Sequence, residues 1–175
     1  MTVTIEQLDR LPAAEAAFKL AACCGSSAWI AGMVEHRPFG SREALINAAY
    51  DVFRSLLHTD WLDAFAHHPR IGEQKAAATT SPTAEAFSSG EQATASKAGG
   101  DVQAELAAAN AAYEKKFRFI FVVSATGKSA EEILVALKNR LGNECDAEMF
   151  IAAREQQKIT CLRLNQLIHA ARTRA

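Results

Sequence analysis

The chain has 175 residues, 49% apolar and 22% charged, with a formal net charge of -1. Such a chain has the size and composition of one globular domain, 1–175, with its own core, and is not a disordered segment. It carries no global field for nucleic acid or an anionic membrane, and no apolar run reaches the length of a bilayer span.

The opening Met1-Thr2-Val3-Thr4-Ile5-Glu6 lacks the basic-then-apolar order of a signal peptide, and Arg172-Thr173-Arg174-Ala175 is not a peroxisomal tripeptide. Cys23, Cys24, Cys145 and Cys161 show no C-x-x-C spacing. Reduced, mostly buried cysteines in a cytoplasmic protein are expected.

Leu8, Leu11, Phe18 and Leu20 lie in an Ala-rich helical opening, with Pro12 starting a second run. Cys23-Cys24-Gly25-Ser26-Ser27 marks a helix end and a new N-cap, followed by a short helix with Trp29, Ile30 and Met33. Ser41 caps the clearest amphipathic helix, with Leu45, Ala48, Ala49, Val52, Phe53 and Leu56 at three-and-four spacing. Asp60 is expected to cap a helix anchored by Trp61 and Phe65, which delivers the chain to His67-His68-Pro69. Proline pushes the residue before it out of the α region, so that helix should stop at His68.

Residues 74–100 are poor in large apolar side chains and suggest a functional loop with a short helix inside it. Ser88 and Glu91 have capping-box spacing, which places a helix start there. Asp101 should cap the next helix, with Val102, Leu106, Ala109 and Tyr113 on one face. Residues 117–123 form the one β-like run, with no partner strand in sight, and should be buried extended chain whose backbone needs polar partners. Ser129 and Glu132 form another capping box, and the last helix should run from about Asp146.

Three positions allow two readings each. His68 is either a proton-transfer group or a helix end that happens to hold histidines. Glu91 is either a cap or, with Gln92, a ligand-facing pair. Arg163 sits on the stripe of Ile159 and Leu167, either snorkelling or gripping a carboxylate. Other chemistry fits less well. Thr126-Gly127-Lys128-Ser129 follows a strand-like run, but the P-loop's first glycine position is Val122, which could not wrap a phosphate. Adjacent His67 and His68 project differently and have no Cys/His cluster beside them, so no metal site is expected. What remains is a histidine, a carboxylate, an amide and an arginine, a set suited to a small anionic substrate.

The chain resembles the OHCU decarboxylases, enzymes of urate breakdown acting on 2-oxo-4-hydroxy-4-carboxy-5-ureidoimidazoline (OHCU). The resemblance runs nearly end to end. It is carried by Cys24-Gly25-Ser26-Ser27-Ala28-Trp29, Arg37-Pro38-Phe39, Asp60-Trp61-Leu62-Asp63-Ala64-Phe65, His68-Pro69-Arg70-Ile71-Gly72-Glu73, Ser88 with Glu91-Gln92, Asn110 with Tyr113, Phe121 through Ser129, and Lys158 through Leu164. It implies an all-α fold: a compact helical bundle with one extended segment lining the site, often homodimeric. It implies decarboxylation of OHCU to (S)-allantoin and CO2 with no metal or organic cofactor. His68 would be the general acid/base with Glu91 beside it. Pro69, Ser88, Gln92, Ile120, Phe121, Val122, Val123, Ser124 and Arg163 would bind substrate, and His67 would be a bystander. The family often has glycine where this chain has Arg118, which puts the backbone path there in question. A helical binding or scaffold protein that lost catalysis is the competing reading.

Overall fold

The computed structural model describes residues 2–73, 81–93 and 99–168. Among them the chain forms α1 (Ile5–Arg10), α2 (Ala13–Ala21), α3 (Ser27–Glu35), α4 (Arg42–Ser55), α5 (His58–Ala66), α6 (Pro82–Glu91), α7 (Gly100–Phe117), α8 (Ala130–Arg140) and α9 (Cys145–Leu167). No strand occurs among the described residues; Val3 and Ile168 form an isolated bridge. The fold is all-α. No described helix is long and apolar enough to cross a membrane.

Local sequence accounts for most boundaries. Ser26, Ser41 and Ser129 accept hydrogen bonds from the first turns of α3, α4 and α8, and Ser129 with Glu132 closes a full capping box. Three expected starts fall elsewhere. Asp60 is the third residue of α5 and accepts from the N–H of Leu57, so it caps from inside the helix. Asp101 lies in the first turn of α7, after Gly99. Ser88 and Glu91 do not open a helix: Ser81 caps α6, Pro82 follows at its first position, and Ser88 and Glu91 end it. The i, i+3 spacing of a capping box is also that of two neighbours on one helical face. Here the Ser81-Pro82 start, a stronger signal, fixes the frame.

The cysteines are free. Cys23 and Cys24 are buried, whereas Cys145 is exposed and Cys161 intermediate, so the expectation of mostly buried thiols holds for only half of them. Helix α9 forms the spine, packing on α4, α5 and α7, and α7 packs along α8. Trp61 and Phe65 are buried on α5 as expected, with Phe65 against Phe119 and Trp61 stacked on Phe53.

After α7 the chain runs non-helically through 119–125 with Phe119, Phe121, Val122, Val123 and Ala125 buried. The turn into it is Arg118, at φ 67° the sole non-glycine at positive φ among the described residues. This is the helix-terminating left-handed position that glycine fills without strain. A Cβ there costs on the order of 1–2 kcal/mol, part of which glycine gives back through the freer unfolded chain. Arg118→Gly is therefore expected to raise the unfolding free energy by about 0.5–1 kcal/mol in urea denaturation; a loss of stability would contradict this account of the turn.

Candidate active site

The turn after α5 is held from both sides. The His67 ring lies against Gly25 so closely that a Cβ at Gly25 would meet its Cγ at 2.2 Å, and only glycine lets the α2–α3 connection pass. His67 Nδ1 lies 2.8 Å from the Asp63 carbonyl oxygen. Beyond Pro69, Arg70 makes a two-bond fork to Glu114 on α7 at 2.5 and 2.8 Å. The Asn110 amide donates to the Ile71 carbonyl, and the Gly72 N–H donates to the Gln92 side chain at 3.0 Å. His68 is thereby fixed on a turn held before it through His67 and after it by ties to α7 and to the end of α6.

Beside it lies a narrow pocket of about 20 Å³, room for little more than a water in this conformation. His68, Pro69, Ser88, Glu91, Gln92, Phe121, Val122 and Val123, all expected at the site, line it. Ile71, Ala125 and Ile159 join them. Three expected residues do not line it: Ile120, Ser124 and Arg163. The N–H of Ser124 donates to Glu155 at 2.8 Å and its carbonyl accepts from Lys128, so its backbone is already committed. The Val122 carbonyl accepts from Arg140 at 2.8 Å. By contrast, among the described residues no hydrogen bond reaches the N–H groups of Phe121, Val122 or Val123, which sit in buried wall residues. Buried backbone donors are ordinarily paired, and unpaired ones on a pocket wall are available to a ligand.

Arg163 is neither snorkelling nor open to the pocket. It is buried at 3% exposure, with Nε and Nη2 on the two Glu91 carboxylate oxygens at 2.7 and 2.8 Å. Nη2 also reaches Ser88 Oγ at 2.9 Å, and Nη1 the Ala22 carbonyl at 3.4 Å. The Ser88–Glu91 pair on the last turn of α6 is thus a receptor for the guanidinium fork. Arg163 faces a second cavity, shared with His67, His68, Gly25 and Ser81.

His68 is 9% exposed and held down to about pKa 3, first by burial and next by the Arg163 charge, against its ordinary 6.5. A solvated histidine titrates near neutrality; this one does not. The structure makes it a neutral imidazole at pH 7, a proton acceptor in the resting protein. Its Nε2 lies 2.7 Å from Gln156 Oε1 on α9. Gln156 was absent from the sequence reading. Its signal is a polar side chain on the buried stripe that also carries Ile159, Thr160, Arg163 and Leu167.

The family model for OHCU decarboxylase matches residues 9–165, and the chain belongs to that family. It is similar to the uric acid degradation bifunctional protein TTL of Arabidopsis thaliana, 42% identical over 145 residues, covering 83% of this chain and 45% of that protein. It is also similar to the uric acid degradation bifunctional protein of Bacillus sp. (strain TB-90), 30% identical over 166 residues, covering 93% and 32%. The chain thus spans less than half the length of these two relatives. A solved OHCU decarboxylase, determined in the presence of (S)-allantoin, superposes with a TM-score of 0.74 at 38% identity, covering 86% of this chain and 96% of that one.

Two outcomes are expected of the site's electrostatics. Removing one partner of a buried ion pair strands the other charge, so Glu91→Leu and Arg163→Met should each cost about 3–5 kcal/mol, whereas the double variant should cost far less than their sum. Additive losses in chemical denaturation would mean the pair is not coupled. For His68, both folded and unfolded states are neutral above pH 6.5. Below it the unfolded chain binds a proton that the folded one refuses until about pH 3, so stability is lost as pH falls through that window. His68→Asn should therefore close on, or overtake, the wild type in unfolding free energy between pH 7 and pH 4; a gap that stays constant would contradict the buried neutral state.

Proposed function

We propose that the chain decarboxylates OHCU to (S)-allantoin and CO2, using the pocket around His68. Family membership and the likeness to a decarboxylase solved with (S)-allantoin support the reaction class. The observation that carries the site assignment is the pairing of a neutral buried histidine with unpaired N–H groups at Phe121–Val123 across one small pocket.

The chemistry makes matching demands. OHCU bears a hydroxyl and a carboxylate on one ring carbon, next to a C=N unit. When the bond to the carboxylate breaks, its electron pair moves into that unit and the ring nitrogen takes a proton. The hydroxyl then gives up its proton as its carbon becomes the carbonyl of allantoin, and the adjacent carbon gains a proton on one face. Fixed donors aimed at the developing negative charge lower the barrier. The N–H groups of the 121–123 wall suit that task. His68 accepts the hydroxyl proton, which a group neutral at pH 7 can do, and passes a proton back to carbon. Glu91 and Gln92 hold the polar ring and ureido edges, Pro69 and Phe121 form the apolar walls, and Ser88 closes the side next to Glu91. Arg163, its fork already occupied, contributes by aiming Glu91 and by keeping His68 unprotonated. Ile120 and Ser124 serve the site by setting the path of the wall. The substrate is a small molecule, not nucleic acid, in keeping with the family. A cytoplasmic homodimer working without a cofactor completes the proposal.

The spontaneous decay of OHCU gives racemic allantoin, so chirality reports the enzyme. Urate treated with urate oxidase and hydroxyisourate hydrolase should show a fast, protein-dependent rise of the (S)-allantoin circular dichroism signal, reduced at least 100-fold in rate by His68→Ala. Racemic product formed no faster than without the protein would establish the non-catalytic binding reading instead.

A further inference from the structure

The hydrogen bonds of α9 decide which nitrogen of His68 carries its proton. Thr160 Oγ1 donates its single proton to the Gln156 backbone carbonyl, 3.0 Å away. The same oxygen lies 3.2 Å from the Gln156 side-chain amide and can only accept there. The NH2 end of Gln156 must therefore face Thr160, and the Oε1 end must face His68. Gln156 is fully buried and Thr160 2% exposed, so no solvent competes for these bonds. An amide oxygen accepts, so His68 Nε2 must donate. The other ring nitrogen, Nδ1, has no hydrogen-bond partner among the described residues. It is not sealed in either: no buried side-chain nitrogen or oxygen among them lacks a partner, so Nδ1 keeps accessible surface. His68 lines both the pocket beside Glu91 and the cavity on the Gly25 side.

We infer that Gln156 is a positioning residue that holds His68 as the Nε2–H tautomer, leaving Nδ1 as the atom that accepts the substrate's proton. The clause about substrate rests on the proposed decarboxylation; the tautomer does not. Gln156 touches the imidazole and acts through it. It fixes ring orientation as well as proton position, as a partner on the far nitrogen does for any catalytic histidine. An imidazole free to exchange tautomers would present a donor where an acceptor is needed for part of the time.

Other groups around the ring are consistent with this assignment. Arg163 from α9 and His67 from the same turn both disfavour a charged ring. Glu91 of α6 shares the pocket but is held by Arg163. Cys24, which contacts Thr160, is pushed up to about 11 by burial, and Cys23 is pushed higher still, so both remain thiols.

The test reads the ring directly. In protein labelled with ¹⁵N-histidine, two-bond ¹H–¹⁵N correlations at pH 7 should show His68 in the Nε2–H pattern, identified by its loss in His68→Ala. Gln156→Leu should mix the two patterns and lower kcat at least ten-fold with KM changed less than three-fold. Gln156→Glu, nearly isosteric, gives the ring a carboxylate partner and should move the acid limb of the kcat–pH profile up by at least one unit. An Nδ1–H pattern in the wild type, or an unchanged Nε2–H pattern in Gln156→Leu, overturns the assignment; so does a Gln156→Glu profile that does not move. The wild-type spectrum needs no Gln156 variant to fold and no turnover. An Nε2–H tautomer in a protein that does not decarboxylate OHCU would uphold the tautomer and overturn the proposed reaction.

Discussion

The site depends on one buried contact, the two-bond pairing of Arg163 with Glu91. A guanidinium at 3% exposure is tolerated only where its charge is matched and its donors are used. Glu91 and Ser88 supply that match from the last turn of α6, and the Ala22 carbonyl takes a further donor. The pair therefore fastens the end of α6 to the C-terminal part of α9, although 72 residues separate the partners in sequence. It also sets the field at His68. Burial keeps that ring unprotonated and the Arg163 charge adds to it, so a residue that organises the fold also supports the protonation state that the proposed chemistry needs.

The opposite wall has its own clamp. Glu148, fully buried, is bonded by Arg140, Tyr113 and Asn143, and Arg140 extends to the Val122 carbonyl while its guanidinium lies over the Phe121 ring. Glu155 takes the Ser124 N–H. These groups satisfy one set of backbone atoms in the 119–125 segment and leave the N–H groups of Phe121–Val123 unpaired. Side chains thus do for this segment what a partner strand would do elsewhere, and they do so selectively.

Much of this was legible in the sequence, and the failures have identifiable causes. The amphipathic run after Ser41, the Ser129–Glu132 capping box and the Trp61/Phe65 anchor follow from periodicity and cap chemistry, which are local. His68, the Glu91–Gln92 pair and the extended 117–123 run were open candidates from their residues alone, the family resemblance gave them roles, and the fold brings His68, Glu91, Gln92 and 121–123 together around one pocket. The frame of α6 was misread because S-x-x-E spacing serves equally for a helix start and for two neighbours on one face. Arg163 was expected to be open to substrate because nothing local tells a free guanidinium from one whose partner lies 72 residues away. Gln156 escaped notice because glutamine on a long helix is ordinary, and only its burial beside His68 gives it meaning. Arg118 was flagged from a residue type out of pattern, and the positive φ there gives the reason glycine suits the position.

In the proposed reaction, allantoin leaves from the pocket between His68, Glu91, Gln92 and the 121–123 wall. A crystal structure of the protein soaked with (S)-allantoin tests it most directly. Allantoin should lie in that pocket, its oxygens accepting from N–H groups of Phe121–Val123 and its ring beside His68, with the Arg163–Glu91 pair intact. Allantoin seated in the cavity on the Gly25 and His67 side, or an Arg163 released from Glu91 to grip the ligand, would contradict it.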